Sequence, residues 1–160
     1  MKIENIQQSP FSVGKQEESF LAAVQLALKL YDRFLDPLRQ EFSLTKLELL
    51  VIGFLHNNPQ KNTAGEISSL RSLSKGNVSC AVDSLSEKGL LFRRIDEKDR
   101  RTTRLELLKA AEPITKKIDA VGKAYKERIF LGFTEAQKSQ YITLCEKMLS
   151  NMKAFQQETE

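Results

Sequence analysis

Arginine and lysine are concentrated in one stretch of this sequence, between Arg71 and Arg104. The stretch holds nine basic and five acidic residues, so its net charge of +4 equals the net charge of the whole 160-residue chain. A local excess of positive charge attracts a polyanion such as nucleic acid. The charge by itself is equally compatible with a solvated hairpin that binds nothing.

The tripeptide Asp99-Arg100-Arg101 is the sharpest chemical feature of this stretch. An arginine side chain fits the narrow, electronegative minor groove of a DNA duplex. Because Asp99 precedes Arg101 by two positions, we expect its carboxylate to hold the Arg101 guanidinium in a fork geometry. The alternative is a surface ion pair that contributes little free energy.

Side chains suited to catalysis or metal binding are scarce. His56 is the only histidine, and the two cysteines, Cys80 and Cys145, are far apart in the sequence. A metal site or a catalytic group would need partners that no cluster of residues supplies. We therefore expect no enzymatic activity, no metal site and no cofactor. Redox control through Cys80 is an alternative, whereas Cys145 fits a position in the core.

Capping signals mark the helices that must position the basic stretch. A helical pattern begins near Glu17. Ser74 is expected to cap a helix over 75–88 that ends at Gly89. Three more helices open at pairs typical of a capping box, namely Thr45 with Glu48, Thr63 with Glu66, and Thr134 with Gln137.

After Gly89 the apolar period changes from that of a helix to that of a strand. Residues 90–95 and 102–107 flank a charged turn, which predicts a β-hairpin with a solvated tip. Pro113 then suits the first turn of a long helix. The predicted fold class is mainly α with a small β-hairpin wing (α+β), a winged helix-turn-helix with helices on both sides.

The helix over 75–88 is the second helix of the predicted helix-turn-helix, the helix that enters the major groove in such proteins. Its core face is expected to carry Val78, Val82 and Leu85. Small polar side chains on the opposite face could approach base edges, although an ordinary amphipathic helix would show the same pattern. The candidate recognition residues are Ser74, Lys75, Asn77, Ser79 and Cys80.

These motifs together resemble the MarR family of winged helix-turn-helix transcriptional regulators, over roughly residues 17–155. The resemblance runs through Leu44-Thr45, the stretch SKGNVSCAVDSLSEKGLLFRRIDEKDRRTTRLEL and Thr134, and SLSEKGLLFRR and Asp99-Arg100-Arg101 are its most specific parts. The wing Asp and Arg of the family correspond to Asp99 and Arg101. The sequence departs from the family at 108–113, where Thr and Gly are frequent, and at Cys80, where Arg is frequent.

The resemblance implies a homodimer that binds palindromic double-stranded DNA as a repressor. The two cysteines make no disulfide framework and no stretch approaches about 20 apolar residues, which predicts a cytoplasmic protein with no membrane association. The predicted organisation is one compact domain with a flexible arm (1–16), a first dimerisation helix (17–43), a DNA-binding lobe (44–108) and C-terminal dimerisation helices (112–157). The alternative function is a winged-helix module that binds protein. Besides Asp99 and Arg101, the expected DNA contacts, mostly to phosphates, are Lys75, Arg93, Arg94, Lys98, Arg100 and Arg104.

The resemblance also implies release of DNA by a small apolar or aromatic effector, bound between the dimer helices and the DNA-binding lobe. Nothing in the sequence identifies that molecule. Aromatic residues are the candidates for its pocket, with core packing as the alternative for each of them: Phe20, Tyr31, Phe34 and Phe54.

Overall fold

A computed structural model of the chain describes residues 15–71 and 73–159, with side chains except those of 15–20, 70, 71 and 159. The chain divides into two compact units, one ending at Val121 and the other beginning at Gly122. The predicted mainly α fold with a β-hairpin is confirmed. Its elements are α1 Lys15–Glu41, α2 Lys46–Asn57, α3 Ala64–Arg71, α4 Lys75–Glu87, β1 Leu91–Ile95, β2 Thr103–Leu107, a 3-10 turn Lys109–Ala111, α5 Glu112–Ile129 and α6 Glu135–Thr159.

The first helix includes the last two residues of the predicted flexible arm, and the rest of that arm lies outside the described residues. Pro37 lies inside α1 without ending it. The Arg39 guanidinium binds the carboxylates of Asp32 and Asp36, which lie on the preceding turns. The helix is therefore continuous from Lys15 to Glu41. None of the helices in the described ranges is long and apolar enough to cross a membrane.

The predicted capping signals open the helices in the structure. In the first capping box the Thr45 hydroxyl accepts from the Glu48 amide at 3.2 Å, and the Glu48 carboxylate accepts from the Thr45 amide at 2.6 Å. Thr63 and Glu66 make the same reciprocal pair at the start of α3. Each box satisfies two backbone donors that the first turn of a helix leaves unpaired.

The fourth helix is capped at its start and ends at a glycine, as predicted. The Ser74 hydroxyl accepts from the Asn77 amide at 3.2 Å. Gly89 has a φ of +66°, in the left-handed region where a side chain would be strained. The chain can therefore turn sharply from α4 into β1.

The core of the first unit is built around α2, which buries Leu49, Val51, Ile52, Phe54 and Leu55. Against this helix lie apolar side chains from the two following helices, the hairpin and α5. Burial of each large apolar side chain stabilises the fold by about 1.5–3 kcal/mol. The partners include Ile67, Val78, Val82, Leu85, Leu91, Leu105, Ile114 and Ile118.

The two strands form an antiparallel hairpin in which Leu91 pairs with Leu107 and Ile95 pairs with Thr103. An isolated two-stranded hairpin is marginally stable at best. Here the Leu105 amide donates to the Asn62 carbonyl at 2.7 Å, and the Leu108 amide donates to the Leu90 carbonyl at 3.0 Å. The first bond fastens β2 to the loop between α2 and α3, and the second closes the base of the hairpin.

The second unit contains the end of α5 and the whole of α6. Thr134 and Gln137 open α6 as the third capping box, with the Thr134 amide donating to the Gln137 side chain at 2.9 Å. The Phe130 ring stacks edge-on against Phe133 and Tyr141, with centroids 5.4 Å and 5.2 Å apart. Cys145 is half-buried, and its hydrogen bond with Tyr141, followed by burial, raises the pKa of that phenol.

Glu48 is the buried acidic residue in the part of the chain that the structure describes, with 2% of its surface exposed. Burial pushes its pKa upward, but hydrogen bonds from Lys88, Ser84 and Thr45 outweigh that effect and hold the pKa at about 2. The unfolded chain would have a carboxyl pKa of 4.5 at this position. Proton binding therefore favours the unfolded state.

We predict that acid destabilises the fold through Glu48. A depressed folded-state pKa stabilises the fold above the unfolded value, and this contribution is lost as the pH falls from about 5 to about 2. Its size is about 3 kcal/mol at pH 7. Urea unfolding at fixed protein concentration should show a free energy that falls less steeply with acid in Glu48→Gln than in the wild type. The matched variant Glu66→Gln should keep the wild-type slope, and parallel pH profiles for all three proteins would contradict the assignment.

Candidate nucleic-acid interface

The N-terminal half of α4 presents a polar face to solvent. Val78, Ala81, Val82 and Leu85 are buried on the opposite side, against the core. Ser74 also uses its hydroxyl as the helix cap, which fixes its side chain. The five residues predicted as the recognition face are all exposed: Ser74, Lys75, Asn77, Ser79 and Cys80.

The tip of the hairpin comprises residues 96–102. Hydrogen bonds to two aspartate side chains stabilise its turn. One Asp99 carboxylate oxygen accepts from the backbone amide of Arg101 at 3.1 Å, and the other accepts from the Thr102 hydroxyl at 2.7 Å. Asp96 accepts from the amides of Lys98 and Asp99 at 2.8 and 3.1 Å. The predicted fork between Asp99 and the Arg101 guanidinium is therefore replaced by a bond to the Arg101 backbone. Short Asp side chains favour this local pairing with the chain two or three residues ahead.

Arg104, in β2, links the tip of the hairpin to the loop between α2 and α3. Its Nε donates to Asp96 at 2.7 Å, and its Nη1 donates to the Asn62 side chain at 3.1 Å. The Arg104 hydrogen bond, followed by the two backbone amides at the tip, lowers the pKa of Asp96 to about 2. Because Asn62 also accepts the Leu105 amide through its carbonyl, one residue of the α2–α3 loop holds both the backbone and a side chain of β2.

Asn62 was not among the residues singled out from the sequence, and no local pattern marks it. It lies 42 residues before Arg104, in a loop between two capping signals. Only the three-dimensional packing of that loop beside β2 brings the two side chains together.

The two arginines of β1 are also paired within the chain. Arg93 binds the Asp83 carboxylate on α4. Arg94 binds Glu106 across the hairpin at 2.7 Å and lies 3.7 Å from Glu97. Glu106 and, to a smaller extent, Glu97 and Asp96 raise the pKa of the Arg94 guanidinium.

The remaining cations of the predicted surface point outward. Lys75, Lys98, Arg100 and Arg101 are exposed, and among the described residues their charged groups have no acidic partner within 4 Å. Three of them lie on the tip and one at the start of α4. Among these predicted contact residues, the arginines in the two strands are thus paired, and the cations on the tip and at the start of α4 are not.

The residues considered for metal or redox chemistry occupy separate places. His56 pairs through Nε2 with both carboxylate oxygens of Asp119, at 3.0 and 3.1 Å, and so links α2 to α5. Within the described ranges, no group of three or more His, Cys, Asp or Glu side chains could hold a metal ion. Cys80 is exposed on the polar face of α4.

A cleft of about 340 Å³ lies between α1, α2 and α5 in the first unit. Of the aromatic residues predicted to line an effector pocket, Tyr31 lines this cleft, whereas Phe54 is buried in the core. Phe34 does not line it, and the side chain of Phe20 lies outside the described residues. The rest of the wall is formed by Leu28, Asp32, Leu35, Lys46, Leu49, Leu50, Gly53, Asn57 and Ile118.

The segment that extends from α2 to the tip of the hairpin matches a known sequence family. The profile of the MarR family covers residues 42–102, from the end of α1 to the last residue of the tip. This winged-helix segment belongs to the MarR family. The resemblance predicted from the helix-to-wing join and from Asp99-Arg100-Arg101 is therefore confirmed.

Solved MarR-family structures share the fold over most of the chain. A MarR-family transcriptional regulator from Silicibacter pomeroyi is 20% identical, over 86% of this chain and 92% of that one, with a TM-score of 0.73. A MarR protein from Peptoclostridium difficile is 20% identical, over 95% and 99%, with a TM-score of 0.76. The S. aureus MepR–DNA complex is 17% identical, over 86% and 99%, with a TM-score of 0.70. At these identities the likeness concerns the fold.

Proposed function

We propose that this MarR-family chain is a transcriptional regulator that binds double-stranded DNA as a homodimer. The observation that carries the proposal is the set of unpaired cations at the hairpin tip, beside the exposed polar face of α4. Phosphate charge dominates the affinity of proteins for DNA, and base edges are recognised by short polar side chains in the groove. The similarity to MepR, which was solved with DNA, supports the same conclusion.

In this proposal α4 is the recognition helix and enters the major groove, while the tip reaches the minor groove through Arg101. We assign the phosphate contacts to Lys75, Lys98 and Arg100, because these ammonium and guanidinium groups are not engaged within the chain. Arg93, Arg94 and Arg104, which the sequence also predicts to touch phosphates, make internal pairs that shape the wing. Any phosphate that met one of these three guanidinium groups would share it with the internal carboxylate partner.

The Arg101 guanidinium should be essential for tight binding to the operator. We predict that Arg101→Ala weakens operator binding about 10-fold or more, because a base-contacting arginine contributes about 1–3 kcal/mol. The matched control is Arg94→Ala, which removes an arginine of the same hairpin that is already neutralised by Glu106. It should change affinity much less. A band-shift titration at one fixed salt concentration tests both variants, and equal affinity of Arg101→Ala and wild type would sink the role of the tip.

The homodimer is proposed from apolar surface that the single chain leaves uncovered. In α6 the side chains of Tyr141, Leu144, Met148, Met152 and Phe155 recur at helical spacing, and all are exposed. On α1, Leu21, Val24 and Leu28 are exposed in the same way. Contiguous apolar surface of this kind is rare on a soluble monomer and marks an interface. Two-fold symmetry would then place two recognition helices on an inverted repeat.

Replacement of one apolar residue on α6 should separate the proposed dimer. We predict that Leu144→Glu sediments as a monomer at micromolar concentration, because a carboxylate would be buried without a partner in the interface. Ser150→Glu on the same helix introduces the same charge at a polar position and should remain a dimer. Sedimentation equilibrium decides the matter, and a wild-type chain that is monomeric throughout the concentration range would refute the proposed assembly.

We further propose that the cleft beside Tyr31 takes a small apolar or aromatic effector and thereby changes the DNA-binding state. Its volume of about 340 Å³ is within the range of small-molecule sites, and its wall is mostly aliphatic. An effector can shift the regulator only if it binds one of the two states more tightly. Repression, with the effector as the releasing signal, is the mode of action that we propose.

Filling the cleft should abolish binding of a small aromatic probe. A Cβ at Gly53 would meet Ile118 at 3.8 Å, an ordinary contact. Because Gly53 lines the cleft, we expect the longer side chain of a leucine to occupy part of its volume. We predict that calorimetry detects indole binding to the wild type and none to Gly53→Leu. Gly122→Leu is the control, since a Cβ at Gly122 would meet nothing within 4 Å. Binding to Gly53→Leu with wild-type affinity would place the probe elsewhere.

Two other functions are kept as alternatives. A winged-helix module that binds protein would show no DNA affinity at moderate salt, and charge reversal at the tip would disrupt the partner. DNA binding instead implies an affinity that falls steeply with salt, by about 10³-fold between 50 and 200 mM for about six phosphate contacts per dimer. Redox regulation through the exposed Cys80 would make DNA binding sensitive to peroxide, and Cys80→Ser would remove that sensitivity.

A further inference from the structure

Glu48 makes more contacts than a capping box requires. Its Oε2 accepts from the Thr45 amide at 2.6 Å, which completes the box. Its Oε1 accepts from the Ser84 hydroxyl at 2.6 Å and from the Lys88 ammonium at 2.7 Å, both on or next to α4. Lys88 also donates to the Ser43 carbonyl at 3.0 Å. One buried carboxylate thus joins the turn before α2, the first turn of α2 and the C-terminal end of α4.

Glu66 shows what the capping function alone demands. It occupies the same position in the second capping box, where one carboxylate oxygen accepts from the Thr63 amide at 3.0 Å and the Thr63 hydroxyl at 2.8 Å. These bonds lie within the first turn of α3 and its preceding residue. A carboxylate confined to its own helix start is therefore sufficient for the cap, and the bonds of Glu48 to α4 need another explanation.

The bonds to Glu48 fix the orientation of α4 in a way that its apolar contacts do not. Ser84 and Lys88 are four residues apart and lie on one face of the helix. The contacts of Val78, Val82 and Leu85 are apolar and non-directional, so they specify the roll of the helix about its axis less narrowly than hydrogen bonds do. A helix with its side chains has a radius of about 5–6 Å, so a roll of about 20° moves a side-chain end by about 2 Å. That displacement is enough to break a hydrogen bond.

We propose that Glu48 is a positioning residue for sequence recognition, and that its bonds to Ser84 and Lys88 set the roll of α4 at which Asn77 and Ser79 meet base edges. The inference rests on the proposed DNA-binding function. Buried polar groups are best attested in this role, the choice of one packing register among several. Glu48 acts through α4 and does not itself touch DNA.

The test measures orientation and selectivity separately, in Glu48→Gln and in its matched control Glu66→Gln. Gln has the same shape as Glu but has only one acceptor oxygen, so it cannot satisfy Thr45, Ser84 and Lys88 together. Residual dipolar couplings of the amides report the orientation of α4 relative to α2 without any DNA. We expect α4 to be reoriented or more widely distributed in Glu48→Gln and unchanged in Glu66→Gln. Wild-type couplings in Glu48→Gln would overturn the proposal.

Selectivity is then the ratio of the affinities for the selected operator and for an operator with one base pair exchanged. We expect this ratio to fall about 10-fold or more in Glu48→Gln, since a displaced helix loses the discrimination of about one base contact. Binding to unrelated DNA should stay within about twofold, because the tip is unaffected. An unchanged ratio together with a reoriented α4 would also overturn the proposal. A wild type that binds no DNA would instead refute the proposed function, and the dipolar couplings alone would then test whether Glu48 positions α4.

A second variant covers the case in which Glu48→Gln does not fold. Ser84→Ala removes one hydroxyl from α4 and leaves the Glu48 bonds to Thr45 and Lys88 in place. It should reduce selectivity in the same direction but by less. Wild-type couplings and wild-type selectivity in folded Ser84→Ala and Lys88→Met would show that α4 holds its orientation without these bonds.

Discussion

A two-stranded hairpin of five-residue strands has too little surface of its own to stay folded, and this constraint shapes the first unit. The hairpin is held because Leu91 and Leu105 enter the helical core and because Asn62 accepts the Leu105 amide. The bonds of Arg93 to Asp83 and of Arg104 to Asn62 then complete the attachment, while Arg94 pairs with Glu106 within the hairpin. As a result, the arginines in the strands of the hairpin are used for the fold, whereas the cations on its tip, like Lys75 on α4, remain available for a ligand.

The helices could be predicted from the sequence because their signals are local. Capping boxes, the glycine after α4 and the change of apolar period each act within a few residues, so the order and type of the elements followed from them. The fold class and the family resemblance depended on the same short-range features. α1, by contrast, continues through Pro37, where Asp32, Asp36 and Arg39 pair along the helix.

The sequence was sufficient to predict which residues form the candidate interface, but not which partners their side chains bind. The exposed face of α4 followed from helical periodicity. The partner of each arginine did not, because Asp83, Asn62 and Glu106 lie 10, 42 and 12 residues away from the arginines they meet. Asp99 was assigned a side-chain partner, whereas its oxygens are satisfied by the Arg101 backbone amide and the Thr102 hydroxyl. Charge counting treats all basic residues alike, although pairing within the fold makes them unequal.

The shape of the hairpin tip depends on carboxylates bonded mainly to backbone amides. The amide of Lys98 is held by Asp96 whatever side chain the residue carries, and the side chain of Arg100 contributes no bond to the fold in the described part of the chain. Positions 98 and 100 can therefore change during evolution, with proline excluded at 98, at little cost to folding. The charge that the tip presents can thus vary while its backbone shape is kept.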